Sequence, residues 1–309
     1  MLKYTIRRLL LLIPTMFFVA VIVFFLAHAA PGSPFDAKSL GDKSLPRATI
    51  ERLENLYGVN KPVPEQFLLY LQNVARFEFG NSFQSGRAVT DVIGDGFPVS
   101  AQLGIQALLV ALALALPLGV ISALKQNTMI DYGSLFFATI GTTIPSFVIG
   151  IFAIYLFGVT FHVFPFVGWS TPMHWVLPTV ILALGPMAFL TRITRASMLE
   201  AIRQDYVRTA RAKGLTEQVV IVTHVLKNAM IPIATIVGPA TAGLITGSII
   251  IEGLFSIPGI GRLFLQSILR RDYPLIMGTY LLYALLISLA NLTVDLVYGM
   301  LDPRIKVAK

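Results

Sequence analysis

DYVRTARAKGL, residues 205–215, puts three cations and one carboxylate into eleven residues, with Arg203 just before them. Apolar runs lie close on both sides. The stretch has helical pattern up to Gly214, where a glycine breaks it. A short, alanine-spaced, basic helix is out of character with its surroundings, and its reading decides the fold and the function.

Those surroundings are membrane-like. The 309 residues are 55% hydrophobic and only 13% charged, where a soluble domain carries about 25% charged residues. Several apolar stretches reach the ~20 residues that a helix needs to cross a bilayer. Six spans are expected, near 9–29, 99–124, 132–160, 175–195, 230–251 and 275–300. The first follows Lys3, Arg7 and Arg8. Its apolar run exceeds the ~7–15 residues of a signal-peptide core, so it reads as a retained helix despite the Ala27-His28-Ala29 segment that resembles a cleavage site. The paired arginines read as topogenic charge.

An even number of spans with an inside N-terminus puts both termini inside. The inside segments then hold 14 Lys/Arg against 5 Asp/Glu, while the outside segments hold 10 of each. This follows the positive-inside rule. The net charge of +8 thus reports topology and gives no reason to invoke nucleic acid.

The outside segment from about 30 to 98 contains turn-like PGSPFD and GDKSLP. ATIERLENLYG and PVPEQFLLYLQNVARF follow as short amphipathic helices, so a small extracytoplasmic subdomain is expected. The chain divides into 1–98 (first span and subdomain), 99–300 (membrane core, including a cytoplasmic loop near 196–230) and a tail, 301–309. Small residues form ladders in the spans: Ala107, Ala111, Ala115, Gly119 and Ala123; then Ser134, Ala138, Thr142, Ser146 and Gly150; then Gly243 and Gly247. Such ladders let helices approach closely in lipid. Prolines 117, 145, 178, 186 and 239 each free a carbonyl within or near a span, which suits kinked helices around a cavity.

Catalytic chemistry is missing. There is no cysteine, so disulfides, thiolate metal sites and a cysteine nucleophile are excluded. The four histidines show no metal-ligand spacing, and no GxxxxGK[ST] loop or GxSxG elbow occurs. Within the spans only Asp295 lies deep, seven residues from Asp302, so structural pairing competes with a functional role. Glu252 and Arg192 lie at span edges.

The basic stretch belongs to RASMLEAIRQDYVRTARAKGLTEQVVIVTHVLKNAMIP, residues 195–232. Ala210, Ala212 and Gly214 leave one face with little bulk, and Glu217 beyond them reads as an exposed, uninvolved residue. A helix–glycine–helix with a bare shoulder suits insertion into a groove on another protein. It equally suits an amphipathic segment lying on anionic lipid. Thr209-Ala210-Arg211-Ala212-Lys213-Gly214 resembles the EAA loop of bacterial importer permeases of the ATP-binding-cassette (ABC) class. DYVRTARAKGL is similar to its form in the peptide/nickel subgroup, in which Arg208 and Thr209 replace the usual Glu-Ala start. AAPGSPFD, FPVSAQLG, LKQNTMIDY, GSIIIEGLFSIPGIGRLF and RRDYP carry the resemblance along nearly the whole chain, most like the B-type permeases of oligopeptide systems.

The resemblance implies an all-α type I importer transmembrane domain in the bacterial inner membrane, with six helices and both termini cytoplasmic. It implies a sister permease, two cytoplasmic ATP-binding subunits that hold ATP and Mg, and a periplasmic or lipid-anchored binding protein. No cofactor or catalytic residue is expected in this chain itself. Glu200, Asp205, Arg208, Thr209, Ala210, Arg211, Ala212, Lys213 and Gly214 would form the ATPase-coupling loop. Pathway or gating candidates are Pro145, Ser146, Gly243, Gly247, Glu252, Pro258, Gly259 and Gly261. Such permeases handle peptides, nickel complexes, glutathione or antimicrobial peptides. An intramembrane enzyme would need convergent Ser, His or Asp groups that this sequence lacks, and a stand-alone channel would conduct without ATPase partners.

Overall fold

The computed structural model describes residues 2–29, 32, 34, 35 and 46–301. The described residues are helical apart from turns and one isolated antiparallel bridge between Asn81 and Ala88. Helix α1 (Leu2–Ala29) leads to two short helices, α2 (Arg47–Tyr57) and α3 (Val63–Ala75), then to α4 (Val89–Leu124). Helix α5 (Met129–Thr143) is followed by α6 (Ser146–Ala153), which runs on as a π-helical stretch, Ile154–Thr160. Next come α7 (Pro172–Ile202), α8 (Asp205–Ala212) and α9 (Glu217–Val219), the last continued by π-helical turns, Val220–Leu226. The chain ends with α10 (Lys227–Ile245), α11 (Ile249–Leu254), α12 (Ile260–Leu269) and α13 (Tyr273–Leu301).

Five helices are long and apolar enough to cross a membrane, or six when α5 and α6 count as one broken span. In α1 the apolar side chains Leu10, Ile13, Phe18 and Leu26 point outward, as lipid rather than water would demand. Helices α4 and α7 form the central pair. The α4 ladder is what lets them meet: Ala107, Ala111 and Ala115 are fully buried. A β-carbon added at Gly119 would lie 2.5 Å from the Cβ of Thr194, so any side chain there would push the helices apart. Gly104 makes a similar backbone contact with Leu244 on α10.

The two ends of the bundle differ. At one end α3 packs on the close of α1 and the start of α13, in a core of Phe24, Tyr70, Tyr273 and Met277. His28 at the end of α1 places its ring nitrogens 2.8 Å from the Phe24 carbonyl oxygen and 3.0 Å from Gln66 Oε1. At the other end α8 packs beneath α4, α7 and α10.

Several boundaries differ from the sequence reading. Helix α4 starts at Val89 and runs through Pro98, so the division at 98 falls inside a helix. Span three is broken: its halves meet at 99° across Ile144-Pro145. Helix α10 ends at Ile245, and Gly247, at φ +93, belongs to a turn rather than to a helical GxxxG. Most of PGSPFD and GDKSLP, and the tail from Asp302, lie outside the described residues, as do the side-chain surroundings of Asp295.

Candidate functional site

Helix α8 follows α7 after only Arg203 and Gln204. Its apolar side is Val207 and Ala210, three apart and both buried against Met198, Ala201, Val220, Val225, Ala229 and Ala123. Asp205, Arg208, Thr209, Arg211, Ala212 and Lys213 remain exposed, as does Glu200 one turn before. The small side chain of Ala210 therefore serves the contact with the chain's own core, not the bare shoulder expected from the sequence. Gly214 ends the helix at φ +78. Its N–H donates to the Arg211 carbonyl at 3.0 Å, and the Leu215 N–H to that of Ala210 at 3.4 Å. This is the Schellman arrangement, which wants a left-handed residue and hence glycine. Nothing lies within 4 Å of where a Gly214 side chain would start. Across the turn Arg211 donates to both Glu217 oxygens, at 3.1 and 2.6 Å, so Glu217 is exposed but not uninvolved. A compact hairpin thus presents a basic face at the end of the bundle.

The far end holds a closed polar knot. Glu252 is fully buried. Its Oε1 accepts from Ser100 Oγ at 2.8 Å and from the Ser248 N–H at 3.1 Å, and its Oε2 accepts from the Arg262 N–H at 3.1 Å. Ser100 Oγ in turn accepts from the Ile260 N–H at 2.8 Å. One carboxylate therefore ties α4, α11 and the N-terminus of α12, where backbone donors lack intrahelical partners. A β-carbon at Gly247 would come within 2.6 Å of Glu252 Oε1, and one at Gly261 within 2.8 Å of the Ile249 nitrogen. Gly259 is closed off by Glu252 and Ser100. These three glycines and Glu252 are packed together; Pro258, beside them, is exposed.

The break in span three is the opposite. Pro145 has no N–H to give the Gly141 carbonyl, and the kink leaves Thr143, Pro145 and Ser146 exposed. Neither the Thr143 nor the Ser146 hydroxyl bonds within the described residues, and Pro145 supplies no side-chain cap to α6. On α10, Asn228, Pro232, Pro239 and Gly243 share one exposed stripe. Pro232 and Pro239 leave the carbonyls of Asn228 and Thr235 without helical partners. Gly243 meets nothing within 4 Å, so it lines a surface and is not packed against a neighbouring helix.

Residues 115–307 match the family model for the binding-protein-dependent transport system inner membrane component, and residues 1–104 match the N-terminal model for membrane components of the same systems. The chain belongs to the binding-protein-dependent transport permeases. It is 41% identical to the dipeptide transport system permease protein DppB of Bacillus subtilis, with 100% of this chain and 99% of that protein covered. It is also 41% identical to the oligopeptide transport system permease protein OppB of Salmonella typhimurium, over 99% of this chain and all of that one. A solved chain of the MetNI methionine ABC transporter, in an inward-facing form, superposes with a TM-score of 0.53 at 17% identity. It covers 69% of this chain and 97% of that one, and it shows the fold to be that of a type I importer transmembrane subunit. This permease is a multi-pass protein of the inner membrane.

Two buried carboxylates in the permease escaped the sequence reading. Asp131, in the first turn of α5, accepts from Arg195 Nε at 2.6 Å and from a terminal nitrogen of the same guanidinium at 2.7 Å. Ser122 Oγ donates to it at 2.5 Å and the Asn127 N–H at 2.9 Å. In the sequence Asp131 falls in a loop just outside its expected span and Arg195 heads the 195–232 stretch with no assigned role; nothing in their separation of 64 residues marks them as partners. Asp272, at the start of α13, accepts from Ser82 Oγ at 2.5 Å and the Phe83 N–H at 3.1 Å. It also takes the Leu275 N–H at 3.4 Å, a cap for α13. Burial pushes its carboxyl above the usual carboxylate range, against the pull of these donors. Among the described residues no group of His, Cys, Asp and Glu could hold a metal ion.

Proposed function

We propose that this permease conducts peptides into the cell as one half of a pathway completed by a sister permease, driven by cytoplasmic ATPases that dock on α8. The observation that carries the reading is the hairpin itself. In α8, Val207 and Ala210 are consumed by the chain's own core, while the basic side stands clear at one end of the bundle. A helix α8 lying on lipid would instead turn Val207 outward; the exposed large apolar groups are Tyr206 on α8 and Leu215, Val219 and Val222 beyond Gly214. The matching loop of this permease class supports the ATPase as partner, and the names of the full-length relatives support peptides as the substrate.

Both termini and α8 then face the cytoplasm, in keeping with the charge count, and the α2–α3 subdomain and α12 face the binding protein. The α5–α6 break and the proline stripe of α10 border the pathway. Open carbonyls and unpaired hydroxyls at membrane depth cost several kcal/mol against lipid, and are tolerated where they meet water or protein. ATP and Mg belong to the partner subunits, and membrane lipids cover the outward apolar faces.

The test uses the cysteine-free chain as it stands. Single cysteines at Ser85 and Gln218 are exposed to an impermeant thiol reagent in intact cells. Labelling of Ser85→Cys alone is expected; equal labelling of both overturns the topology. For coupling, the complex is purified through this chain with its own partner subunits, and peptide uptake into vesicles is followed with and without ATP. Uptake that ignores ATP makes the permease a channel and sinks the reading.

A further inference from the structure

The Asp131–Arg195 pair lies between the coupling hairpin and the break at Ile144-Pro145, and neither the family match nor any relative's name gives it a role. Asp131 is buried; the Arg195 side chain keeps 20% of its surface. The carboxylate, itself on α5, joins three elements at one point: Ser122 at the end of α4, the α4–α5 turn through the Asn127 N–H, and α7 through both arms of the guanidinium. Arg195 precedes Met198 by three residues, and Met198 is fully buried against Val207 and Ala210 of α8. Ala123, beside Ser122, belongs to that same core. Whatever moves α8 therefore moves the ground on which Arg195 and Ser122 stand.

Further along, α5 touches α7 again. A β-carbon on Gly141 would lie 3.1 Å from that of Ala188, so the helices are in close contact there too. Thr143 follows two residues later, about 18 Å along the helix from Asp131 at 1.5 Å per residue. Helix α5 is thus held to α7 at both ends, by a two-armed ion pair near the hairpin and by backbone packing near the break. Packing resists approach but lets helices slide or part. A bidentate guanidinium–carboxylate pair fixes distance and orientation as well.

We propose that Asp131 and Arg195 are positioning residues that make α5 travel with the coupling hairpin, so that movement of α8 reaches the α5–α6 break. The proposal rests on the coupling role given to α8 above. Without the pair, α8 and α7 still move together through their shared core, but α5 no longer follows.

The experiment reads the two ends separately. Single cysteines at Gln218 (hairpin) and Thr143 (break) are placed in the full complex, and their labelling rates by a water-soluble maleimide are compared without nucleotide and with ATP trapped by vanadate. Both rates are expected to change several-fold in the parent protein. In Asp131→Asn and Arg195→Gln the change at Gln218 should persist and that at Thr143 should vanish. A response at Thr143 that survives, with only a lowered melting temperature, makes the pair a structural staple and overturns the proposal. Should these variants fail to reach the membrane, Arg195→Lys keeps the buried charge but gives up the two-armed grip. A reduced Thr143 response at normal abundance supports the proposal, and an unchanged one rejects it. If Gln218 fails to respond in the parent protein, the coupling reading of α8 falls, and this inference falls with it.

Discussion

Two polar clusters sit among apolar helices here and obey opposite rules. Around Glu252, each carboxylate oxygen meets a donor, and flanking glycines let the groups close in. Around the break, the exposed Thr143 and Ser146 hydroxyls bond nothing among the described residues, and the Gly141 carbonyl has no Pro145 N–H to accept. A satisfied cluster needs no environment beyond the protein. An unsatisfied one at membrane depth needs water or a partner. Bulk composition does not separate the two, since both are small, polar and proline- or glycine-rich; the accounting of donors and acceptors does.

The largest effect should come from emptying the closed cluster. Glu252→Ala strands the Ser100 hydroxyl and the N–H groups of Ser248 and Arg262, and a buried donor left unpaired costs about 1–3 kcal/mol. Together these approach a typical whole-protein margin of ~5–15 kcal/mol. Folded permease in the membrane should drop sharply, with Glu252→Gln milder because one oxygen remains. Normal abundance and melting temperature with uptake alone lost would move Glu252 among the pathway groups.

At the open cluster the outcome should invert. Thr143→Leu with Ser146→Leu removes two hydroxyls that bond nothing among the described residues, so abundance should hold while peptide uptake falls several-fold. Cysteines at the same positions should react with a water-soluble maleimide faster than one at buried Ala138. If they react no faster, the break faces lipid, and the contrast between the clusters collapses.

Much of this was legible beforehand. The spans, the α2 and α3 helices and the position of α8 follow from apolar periodicity, charge and the glycine at 214. Local pattern fails where long-range partners decide. Glu252 read as an edge residue because its donors come from Ser100, 152 residues away, and from a turn whose shape depends on the knot itself. Ala210 looked like part of a bare face because alanine suits close packing on either side of a helix. Pro145 announced a freed carbonyl but not a 99° bend, whose size depends on how α5 and α6 each pack on α7.

The hairpin lies between these extremes, satisfied within its turn and exposed outside it, and its variants should be intermediate. At Gly214 space is open, so the cost is backbone strain alone: a non-glycine residue in the left-handed region pays roughly 1–2 kcal/mol. Gly214→Leu should cut uptake and ATPase retention with membrane abundance nearly normal. Gly214→Asn, which visits this region more readily, should keep most activity. Equal losses in the two would mean that side-chain volume against the docked partner dominates over strain.

The smallest effect belongs to the Arg211–Glu217 pair, which spans the same turn. It is bidentate and short, at 2.6 and 3.1 Å, but both side chains are about half exposed. Exposed ion pairs contribute little because water and salt screen them and two long side chains must be held still. The turn should therefore be set by Gly214 and the Schellman bonds rather than by charge. Glu217→Gln should leave uptake within about twofold of the parent, given how little such pairs are worth, and any loss should shrink as salt is raised. Arg211→Gln removes the same pair but also a cation from the exposed face of α8, so it should cost more. If both variants lose uptake equally and steeply, the pair holds the hairpin in shape, and α8 follows the closed logic of Glu252. If Arg211→Gln alone does so, the guanidinium is engaged by the docked ATPase, and α8 belongs with the open break as a surface completed only by its partner.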